Sequence, residues 1–359
     1  MKRLFAAFSV LVILAAMSAC PPVSPPDDPG NTPEPGLIDD WPDETILQRT
    51  DASTFAVTAL VEVTNNDASL TKLSVVIPVP RSNIYQEVTN INLNGAEELI
   101  IEDTSDKYAR FIATTSLPAP GGNISFSISY TATIYAIHAD TNSIGQLYPY
   151  DTSSDIHKYY LGDRIDSDGN KLIDITFADI IAQGDLLWGQ SSDLLDYAVR
   201  CYEYTANSFD YINPMSGLLP VETIYGNGGG DCANLASIFV SLLRYKNIPA
   251  RHIITVRPHN ESSLFHVWAD FYLEGYGWIP VDASAAVVDS DSDGSLDGDY
   301  FGDISLANNG IVMSKEVAVP LLADDTHEVI IGGLQSFAWW YWGAGTAAAS
   351  FTFDSTQLK

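Results

Sequence analysis

Apolar and polar residues alternate with a period of two over a long early part of the chain. The alternation runs from about Thr54 to Ile137 and is interrupted by the turn-rich stretches "TNNDAS" and "PAPGGN". Alternation of this kind indicates strands with one buried face. We therefore predict an antiparallel β-sandwich of about seven short strands in this region, and none of its residues stands out as catalytic.

Helical periodicity begins only after the predicted sandwich. A short helical signal lies at residues 178–182, and a longer one lies at residues 192–208, where Leu194, Ala198 and Cys201 share one face. A free cysteine on an apolar helix face usually behaves as a small hydrophobic residue. Cys201 is therefore predicted to be a core residue.

A further helix is predicted to begin at Cys232. Asp231 is a favourable N-cap residue, and apolar residues recur every three or four positions after it. Asn247 and Pro249 supply the stop, because asparagine tolerates the left-handed conformation and proline cannot continue a helix. Three strands are expected next, "RHIITVR", "HVWADFYL" and "WIPVDAS". The order of helices and strands predicts an α+β core.

Cys232 stands at the first turn of that helix, directly after three glycines and an aspartate. The unpaired N–H groups and the positive end of the helix dipole favour a thiolate at this position. The glycines let the backbone turn sharply and leave room for a substrate chain. An inert buried thiol is the alternative, and it is weaker here than for Cys201. The Cys232 backbone N–H is the first candidate for an oxyanion donor.

A nucleophilic thiol needs a base and a third group that orients the base. The candidates are His266, which opens "HVWADFYL", and Asp282, near the end of "WIPVDAS". Their side chains share one face of the hairpin if Trp268 lies opposite Asp282. A slip by one residue would place them on opposite faces. The sequence leaves this register open.

Two other histidines, His252 and His259, are nearer to Cys232 along the chain. Neither opens a strand that is paired with an aspartate-bearing strand. Both are predicted to be surface or loop residues and not members of the site.

The residues around Cys232 and the following hairpin resemble the core of the transglutaminase-like superfamily. The resemblance rests on "GGGDCANLASIFVSLLRYKNIPAR" and "HVWADFYLEGYGWIPVD" and spans about residues 226–284, with Asn247 in place of a usual glycine. It implies a transglutaminase-like, papain-like core of helices packed on an antiparallel sheet. It also implies that Cys232 is the nucleophile, His266 the general base and acid, and Asp282 the orienting carboxylate.

The activity implied by this resemblance is acyl transfer from an amide or peptide bond of a protein or peptide substrate. With water as the acceptor, the enzyme would be a cysteine peptidase or amidase, and resemblance to bacterial members favours this outcome. With a lysine amine, it would be a protein cross-linking transglutaminase. A surface binding module that retains the fold without turnover is the alternative from another class. No cofactor is required by any of these.

An export signal is predicted at the start of the chain. "MKRLFAAFSVLVILAAMSAC" has a basic beginning, an apolar stretch and small residues before Cys20, and it resembles the lipobox of bacterial lipoproteins. The apolar stretch is short for a membrane span of about 20 residues. We expect a lipid anchor at Cys20 and a location in the cell envelope, on the outer side of the cytoplasmic membrane or at the outer membrane.

Charge narrows the choice of partners. The chain has 46 acidic residues against 17 lysines and arginines, which gives a formal charge of −29. Such a surface repels phosphate backbones, so nucleic acid is not expected as a partner. With Cys20 lipidated, Cys201 and Cys232 are the remaining cysteines, which excludes a disulfide framework.

One acidic run raises the question of a metal. "DSDSDGSLDGDY" offers Asp289, Asp291 and Asp293 before a glycine, as in the first half of a calcium loop, with Asp297 beyond. Tyr300 stands where the bidentate glutamate is expected. A solvated acidic loop is therefore the preferred interpretation, and calcium binding at Asp289 to Asp297 is the alternative.

Together these signals predict the domain order. It comprises an export signal at 1–20, a proline-rich linker at 21–45, a β-sandwich at 46–145, a catalytic domain at 146–310, and C-terminal strands packing on that core at 311–359. The aromatic run "FAWWYW" in the last segment favours a closing strand or an interdomain contact over an exposed binding platform.

Overall fold

The computed structural model describes residues 46–95, 97–103, 106–212, 217–258, 264–293 and 300–358. It confirms a mixed architecture of mostly antiparallel strands with helices on one side. The predicted export signal with Cys20 and the proline-rich linker lie outside these residues. Within the described ranges, none of the helices has both the length and the apolar character of a membrane span.

Antiparallel strands make up the first part of the structure, as the alternating pattern predicts, but two of them, of 19 and 17 residues, are longer than the short strands expected. In the first strand, Val57, Ala59, Val61 and Val63 are buried, whereas the residues between them are at least partly exposed. The strands are β1 (Leu47–Asn65), β2 (Ser69–Pro78), β3 (Gln86–Asn94), β4 (Glu98–Asp103), β5 (Lys107–Ala113) and β6 (Asn123–Ala139).

An α+β core follows. Its helices are α1 (Asp155–Tyr159), α2 (Ala178–Gln190), α3 (Leu194–Ser208), α4 (Val221–Asn227), α5 (Cys232–Tyr245) and α6 (Ala283–Asp293). Its strands are β7 (Arg164–Ile165), β8 (Lys171–Ile173), β9 (Asp210–Tyr211), β10 (Gly229–Gly230), β11 (Ala250–Val256), β12 (Phe265–Leu273), β13 (Gly277–Val281), β14 (Asp303–Ile304) and β15 (Ile311–Ser314).

Helix α5 is the centre of this core. It packs on one face of the antiparallel sheet β13-β12-β11-β15, and α2 and α3 also pack against it. Its predicted apolar stripe is fully buried, since it is covered from both sides. Cys201 on α3 lies in the same hydrophobic core with no exposed surface, which confirms that it is a core residue. Asn247 has a left-handed φ of 59°, as expected for the helix end.

The chain ends with β16 (Val319–Asp324), β17 (His327–Ile331), β18 (Ala338–Ala344) and β19 (Ala347–Leu358). β18 pairs with β2, and β19 pairs with β1, so these two strands extend the two sheets of the sandwich. These pairings differ from the prediction that residues 311–359 pack on the catalytic core. β15 does so through β11, and Ile330 of β17 is hydrogen-bonded to Ser167 of the core. The reason is that apolar residues alternate with a period of two in β18 and β19. This alternation turns Trp339, Tyr341, Phe351 and Phe353 toward the sandwich interior.

The sandwich and the core contact each other through buried polar groups. The Tyr85 hydroxyl donates to Asp270 Oδ1 at 2.6 Å. The Gln86 side chain accepts from the Val312 backbone N–H at 2.6 Å and donates to its carbonyl at 3.1 Å. Phe301 forms an isolated bridge with Val281 of β13. β14 follows Phe301 along the chain and pairs with β6 of the sandwich. The core sheet is therefore held on the side opposite α5 by the N-terminal strands.

Candidate active site

The glycine-rich turn before α5 fixes the path of the backbone into Cys232. Gly229 and Gly230 form β10, which runs parallel to β9. A Cβ atom on Gly229 would lie 2.1 Å from the carbonyl oxygen of Asp210, so this position needs glycine. The turn thus brings the chain close to β9 before the helix begins.

Asp231 caps the helix, as the sequence predicts. Its Oδ1 accepts hydrogen bonds from the backbone N–H of Asn234 at 3.2 Å and from the Asn234 side chain at 2.8 Å. Burial raises the pKa of Asp231, and these hydrogen bonds offset only part of that effect. Cys232 follows as the first helical residue and is partly exposed. The N–H groups of the first turn, including that of Cys232, have no acceptor within the helix.

The β12–β13 hairpin brings His266 and Asp282 together. Ala269 pairs with Val281, and continuing this register places Trp268 opposite Asp282. His266 Nε2 lies 2.7 Å from Asp282 Oδ2. The register that the sequence left open is therefore the one that puts both side chains on the same face.

Asp282 is held in a single orientation. Its Oδ1 accepts from Ser284 Oγ at 2.7 Å and from the Ala285 backbone N–H at 2.9 Å. Burial would raise the pKa of Asp282, but the charge and hydrogen bond of His266 outweigh burial and lower the pKa. The group therefore remains a carboxylate directed at the imidazole ring.

The His266 ring has a raised pKa. Burial would lower its pKa, but Asp282 and the hydrogen bond and charge of Cys232 outweigh burial and raise the pKa from 6.5 to about 9. Because Nε2 faces Asp282, Nδ1 is the ring nitrogen that remains for Cys232. The backbone of His266 is fixed by Thr255, whose hydroxyl donates to the His266 carbonyl at 3.0 Å. At neutral pH the ring is therefore protonated.

Sequence reasoning missed Tyr211. It pairs with Gly230, two residues before Cys232, so β9 lies beside the turn that leads to the thiol. Burial, followed by the charges of Cys232 and Asp231, raises the pKa of Tyr211. No motif marks this residue, because it reaches the site through a strand of two residues.

Sequence reasoning also missed Arg257, which directly follows β11. It is 8% exposed, and its backbone N–H donates to the Leu264 carbonyl at 2.6 Å. Burial lowers the pKa of Arg257, and the charges of Cys232, Asp282 and Tyr211 oppose that effect. In the β11–β12 register, Thr255 pairs with His266. Only an extension of this register by two residues would have placed Arg257 near the site.

His252 is a core residue, so the prediction of a surface or loop position for it is wrong. It lies in β11 with no exposed surface, and its Nε2 is 3.1 Å from Ser237 Oγ on α5. Burial lowers its pKa to about 4, so the ring is neutral at pH 7. The physical reason is that every residue of β11 is buried, since the strand is covered on both faces. His259 lies outside the described residues.

The predicted calcium loop at Asp289 to Asp297 lies largely outside the described residues. Helix α6 extends through Asp293, but residues 294–299 and the side chains from 290 onward are not described. Calcium binding there stays a prediction. In the part of the chain that the structure describes, no group of three or more histidine, cysteine or acidic residues could hold a metal.

The family comparison supports the resemblance drawn from the sequence. Residues 184–283 match the family model of the Transglutaminase-like superfamily. This range includes Cys232, His266 and Asp282. The resemblance is thereby confirmed over the part of the chain that contains the site.

The fold also resembles that of solved structures. A crystal structure described as a "Putative Cysteine Protease" from Cytophaga hutchinsonii aligns with a TM-score of 0.55 at 14% identity, over 87% of this chain and 93% of that one. The periplasmic domain of TgpA from Pseudomonas aeruginosa aligns with a TM-score of 0.32 at 14% identity, over 61% of this chain and 72% of that one. At 14% identity, the likeness to the Cytophaga hutchinsonii structure concerns the fold alone.

A sequence relative exists in Haemophilus influenzae. It is an uncharacterized protein that is 29% identical over 126 residues, which are 28% of this chain and 34% of the relative. The chain thus spans about a third of the length of the curated relative that it matches. This match gives no information about the activity of the chain.

Proposed function

We propose that the transglutaminase-like core of this chain catalyses acyl transfer through Cys232. The observation that carries the proposal is the 2.7 Å contact of His266 with Asp282, on a ring whose pKa responds to Cys232 at the start of α5. A thiol, a base within its reach and a carboxylate that orients the base are the minimum set for a cysteine nucleophile.

In the first half-reaction, the Cys232 thiolate attacks the carbonyl carbon of an amide. The C–S bond forms as the carbonyl π electrons move onto oxygen, and the Cys232 backbone N–H donates a hydrogen bond to that oxyanion. Protonated His266 then transfers its proton to the leaving nitrogen as the C–N bond breaks. The products are a free amine and a thioester on Cys232.

In the second half-reaction, His266 accepts a proton from the incoming nucleophile. With water, the new C–O bond forms, the C–S bond breaks, and the acyl group leaves as a carboxylic acid. Asp282 keeps the ring in one tautomer and orientation through both halves. Its bonds to Ser284 and Ala285 hold it in place during this exchange.

Hydrolysis of a protein or peptide is the preferred outcome over cross-linking. The structure that aligns over 93% of its own length is described as a cysteine protease, although at 14% identity it supports the shared fold and not the activity itself. The buried His266–Asp282 contact weighs against a pure binding module, because a buried charged pair has a desolvation cost that binding alone does not require.

We also propose that the chain is exported and anchored in the cell envelope by lipid on Cys20. The export signal and the proline-rich spacer support this. Mass spectrometry of the N-terminal peptide from a membrane fraction tests it. A lipid-modified Cys20 as the first residue is expected, and an intact signal or an unmodified N-terminus contradicts the proposal.

The proposed activity is tested with a diverse peptide library in heavy-oxygen water, with and without an added primary amine. Hydrolysis places heavy oxygen in new carboxyl termini, whereas cross-linking places the amine on glutamine side chains. Both signals are expected to vanish in Cys232→Ser and to persist in the matched control Cys201→Ser. Absence of both signals in the folded wild type would favour the binding module.

A further inference from the structure

The strand β11 supports both members of the proposed nucleophile and base pair. Thr255 pairs with His266 across the sheet, and its hydroxyl donates to the His266 carbonyl at 3.0 Å. Three residues earlier on the same strand, His252 Nε2 lies 3.1 Å from Ser237 Oγ of α5. Helix α5 begins at Cys232. The strand that holds the base is therefore also hydrogen-bonded to the helix that presents the thiol.

The contact between His252 and Ser237 extends to the residue next to the thiol. Ser237 Oγ donates to the Ala233 carbonyl at 3.2 Å, one helical turn earlier. Because the hydroxyl proton is used in this bond, the His252 ring donates from Nε2 and Ser237 Oγ accepts. Ala233 directly follows Cys232 along the chain. The first turn of α5 is thus linked to β11 through two consecutive hydrogen bonds.

His252 stays neutral over the pH range in which the proposed pair titrates. Burial lowers the pKa of His252 to about 4, and the charge of Glu316, whose Oε1 lies 3.9 Å from Nδ1, opposes that effect. Glu316 is itself paired with Arg244 and Arg164. The hydrogen bond from His252 to Ser237 is therefore present at neutral and alkaline pH.

A second polar contact fixes the other end of α5 to β11. Arg244 donates to the Ala250 carbonyl from Nε at 2.8 Å and from Nη2 at 2.6 Å. At a rise of about 1.5 Å per residue, Arg244 lies about 18 Å from Cys232 along the helix axis, whereas Ser237 lies about 8 Å from it. Of these two contacts with β11, the one at Ser237 is the nearer to the thiol.

The length of α5 makes the nearer contact important for the position of the sulfur. A tilt of about 3° about Arg244 would move Cys232 by about 1 Å. A displacement of about 1 Å between reacting groups can lower a rate by about two orders of magnitude. Asn234 also holds the first turn, but through the Leu219 backbone N–H before α4 and not through the sheet. The link through Ser237 therefore relates the thiol to the strand that supports the base.

A hydrogen bond at this place has an effect that apolar packing would not have. His252 and Ser237 are both fully buried, and Ala250 and Ile254, which lie two residues from His252 on β11, are apolar. An apolar pair of similar size would avoid the desolvation cost of two polar groups. A hydrogen bond, in contrast, is directional and fixes the helix both along and around its axis. The polar pair therefore indicates a requirement for position in addition to stability.

We propose that His252 is a positioning residue, which acts through Ser237 to hold the proposed nucleophile at its working distance from His266. In this role, His252 acts on the helix and not on the reacting atoms. The inference rests on the proposed function of Cys232 and adds a residue to that same site.

Two serines of α5 provide a matched pair of variants. Ser237→Ala removes the acceptor of the His252 ring. Ser241→Ala is the control, because Ser241 is equally buried, lies one turn further along the same helix and accepts from the Asp174 backbone N–H at 3.2 Å. Both variants delete one buried hydroxyl from the same helix. We expect them to lose similar stability, which urea unfolding measures.

Two properties of the site are measured in the full-length chain, the alkylation rate of Cys232 by iodoacetamide and the pKa of the His266 ring. In Ser237→Ala, we expect alkylation at neutral pH to slow by about tenfold, since the thiolate loses its imidazolium partner. Ring-proton chemical shifts should show a pKa moved from about 9 toward 6.5, because Asp282 and Cys232 together raise it and the share of Cys232 becomes smaller. Ser241→Ala should match the wild type in both properties.

Two variants of His252 separate the hydrogen bond from packing. His252→Leu removes the donor and should reproduce the effects of Ser237→Ala. Combining these two changes should add nothing further, because both remove one link. His252→Gln keeps an N–H donor and should restore part of the alkylation rate and of the ring pKa. Should His252→Leu fail to fold, the comparison of the two serine variants decides alone.

The outcomes separate this inference from the proposed function. If wild-type Cys232 reacts rapidly and depends on His266, but both serine variants match the wild type, the positioning role is wrong and the catalytic proposal stands. Equal slowing in both serine variants would also overturn the positioning role, since it would show a general loss of order in the helix. If wild-type Cys232 is as slow as Cys201, the catalytic proposal fails and the positioning role fails with it.

Discussion

His266 Nε2 lies 2.7 Å from Asp282 Oδ2 in the interior of the protein, where His266 is 6% and Asp282 1% exposed. This contact depends on one register, in which Ala269 pairs with Val281. It determines which ring nitrogen remains for Cys232 and whether the ring is protonated at neutral pH.

Asp282→Asn should reduce turnover of a peptide substrate by roughly two to four orders of magnitude while the fold is retained, because the amide stabilises the wrong ring tautomer. Peptide hydrolysis and a circular-dichroism melt measure the two effects. Asp303→Asn is the matched control, since Asp303 also contacts a histidine, His138, at 2.7 Å, but on the surface. Equal activity of the two variants would contradict the assignment.

The His266 ring should titrate with a pKa of about 9. Because the folded value lies above the ordinary 6.5, the contribution of this ring to stability is complete below pH 6.5 and is lost as the pH rises through 9. Ring-proton chemical shifts should report this pKa, and both Asp282→Asn and Cys232→Ser should lower it. A ring that titrates near 6.5 in the folded wild type is the contrary result.

His252 should make the protein sensitive to acid. Its folded pKa of about 4 lies below the ordinary 6.5, so the unfolded chain binds more protons between these values, and stability falls as the pH drops from 6.5 to 4. Urea unfolding at pH 7 and pH 5 measures the effect. His252→Gln should show a smaller loss over this interval, and an unchanged loss would assign the acid sensitivity to other groups.

Gly229→Ala should impair the site through the backbone, because its Cβ atom would lie 2.1 Å from the Asp210 carbonyl oxygen. We expect a loss of stability of about 1 to 3 kcal/mol and slower alkylation of Cys232. Gly226→Ala is the control, because nothing lies within 4 Å of a Cβ atom at that position. Slower alkylation in both variants, or in neither, would contradict this role of Gly229.

Tyr85→Phe should weaken the contact between the sandwich and the core. It removes a donor to Asp270, which is fully buried and also paired with Arg251. Leaving a buried carboxylate short of a donor costs about 1 to 3 kcal/mol. Tyr341→Phe, whose hydroxyl donates to Gly345 O on the surface, should cost far less. Similar melting temperatures of the two variants would show that the contact is not stabilising.

The local features of the site were predictable from the sequence. The start of α5 follows from Asp231 and the apolar stripe, and its end follows from Asn247, because caps and periodicity are determined by neighbours along the chain. The pairing of His266 with Asp282 was predictable only on the condition that Trp268 lies opposite Asp282. A hairpin register depends on turn geometry, and a shift of one residue reverses the faces.

The features that the sequence did not reveal are non-local. Tyr211 lies in β9, a strand of only two residues, and Arg257 lies just beyond the end of β11. Neither position leaves a pattern in the sequence. His252 was misjudged because burial of β11 on both faces depends on α5 and on the sandwich. β19 pairs with β1, although almost the whole chain separates the two strands in sequence. Period-two alternation indicates a strand without identifying its partner.

The most direct measurement is the alkylation rate of each thiol by iodoacetamide at neutral pH, in wild type and in His266→Ala, read by peptide mass spectrometry. Burial raises the pKa of Cys201 far above its ordinary value, so Cys201 serves as the internal reference for an inert thiol. We expect Cys232 to react much faster than Cys201 and to lose that advantage in His266→Ala. A Cys232 that is as slow as Cys201, or whose rate ignores His266, would contradict the central claim.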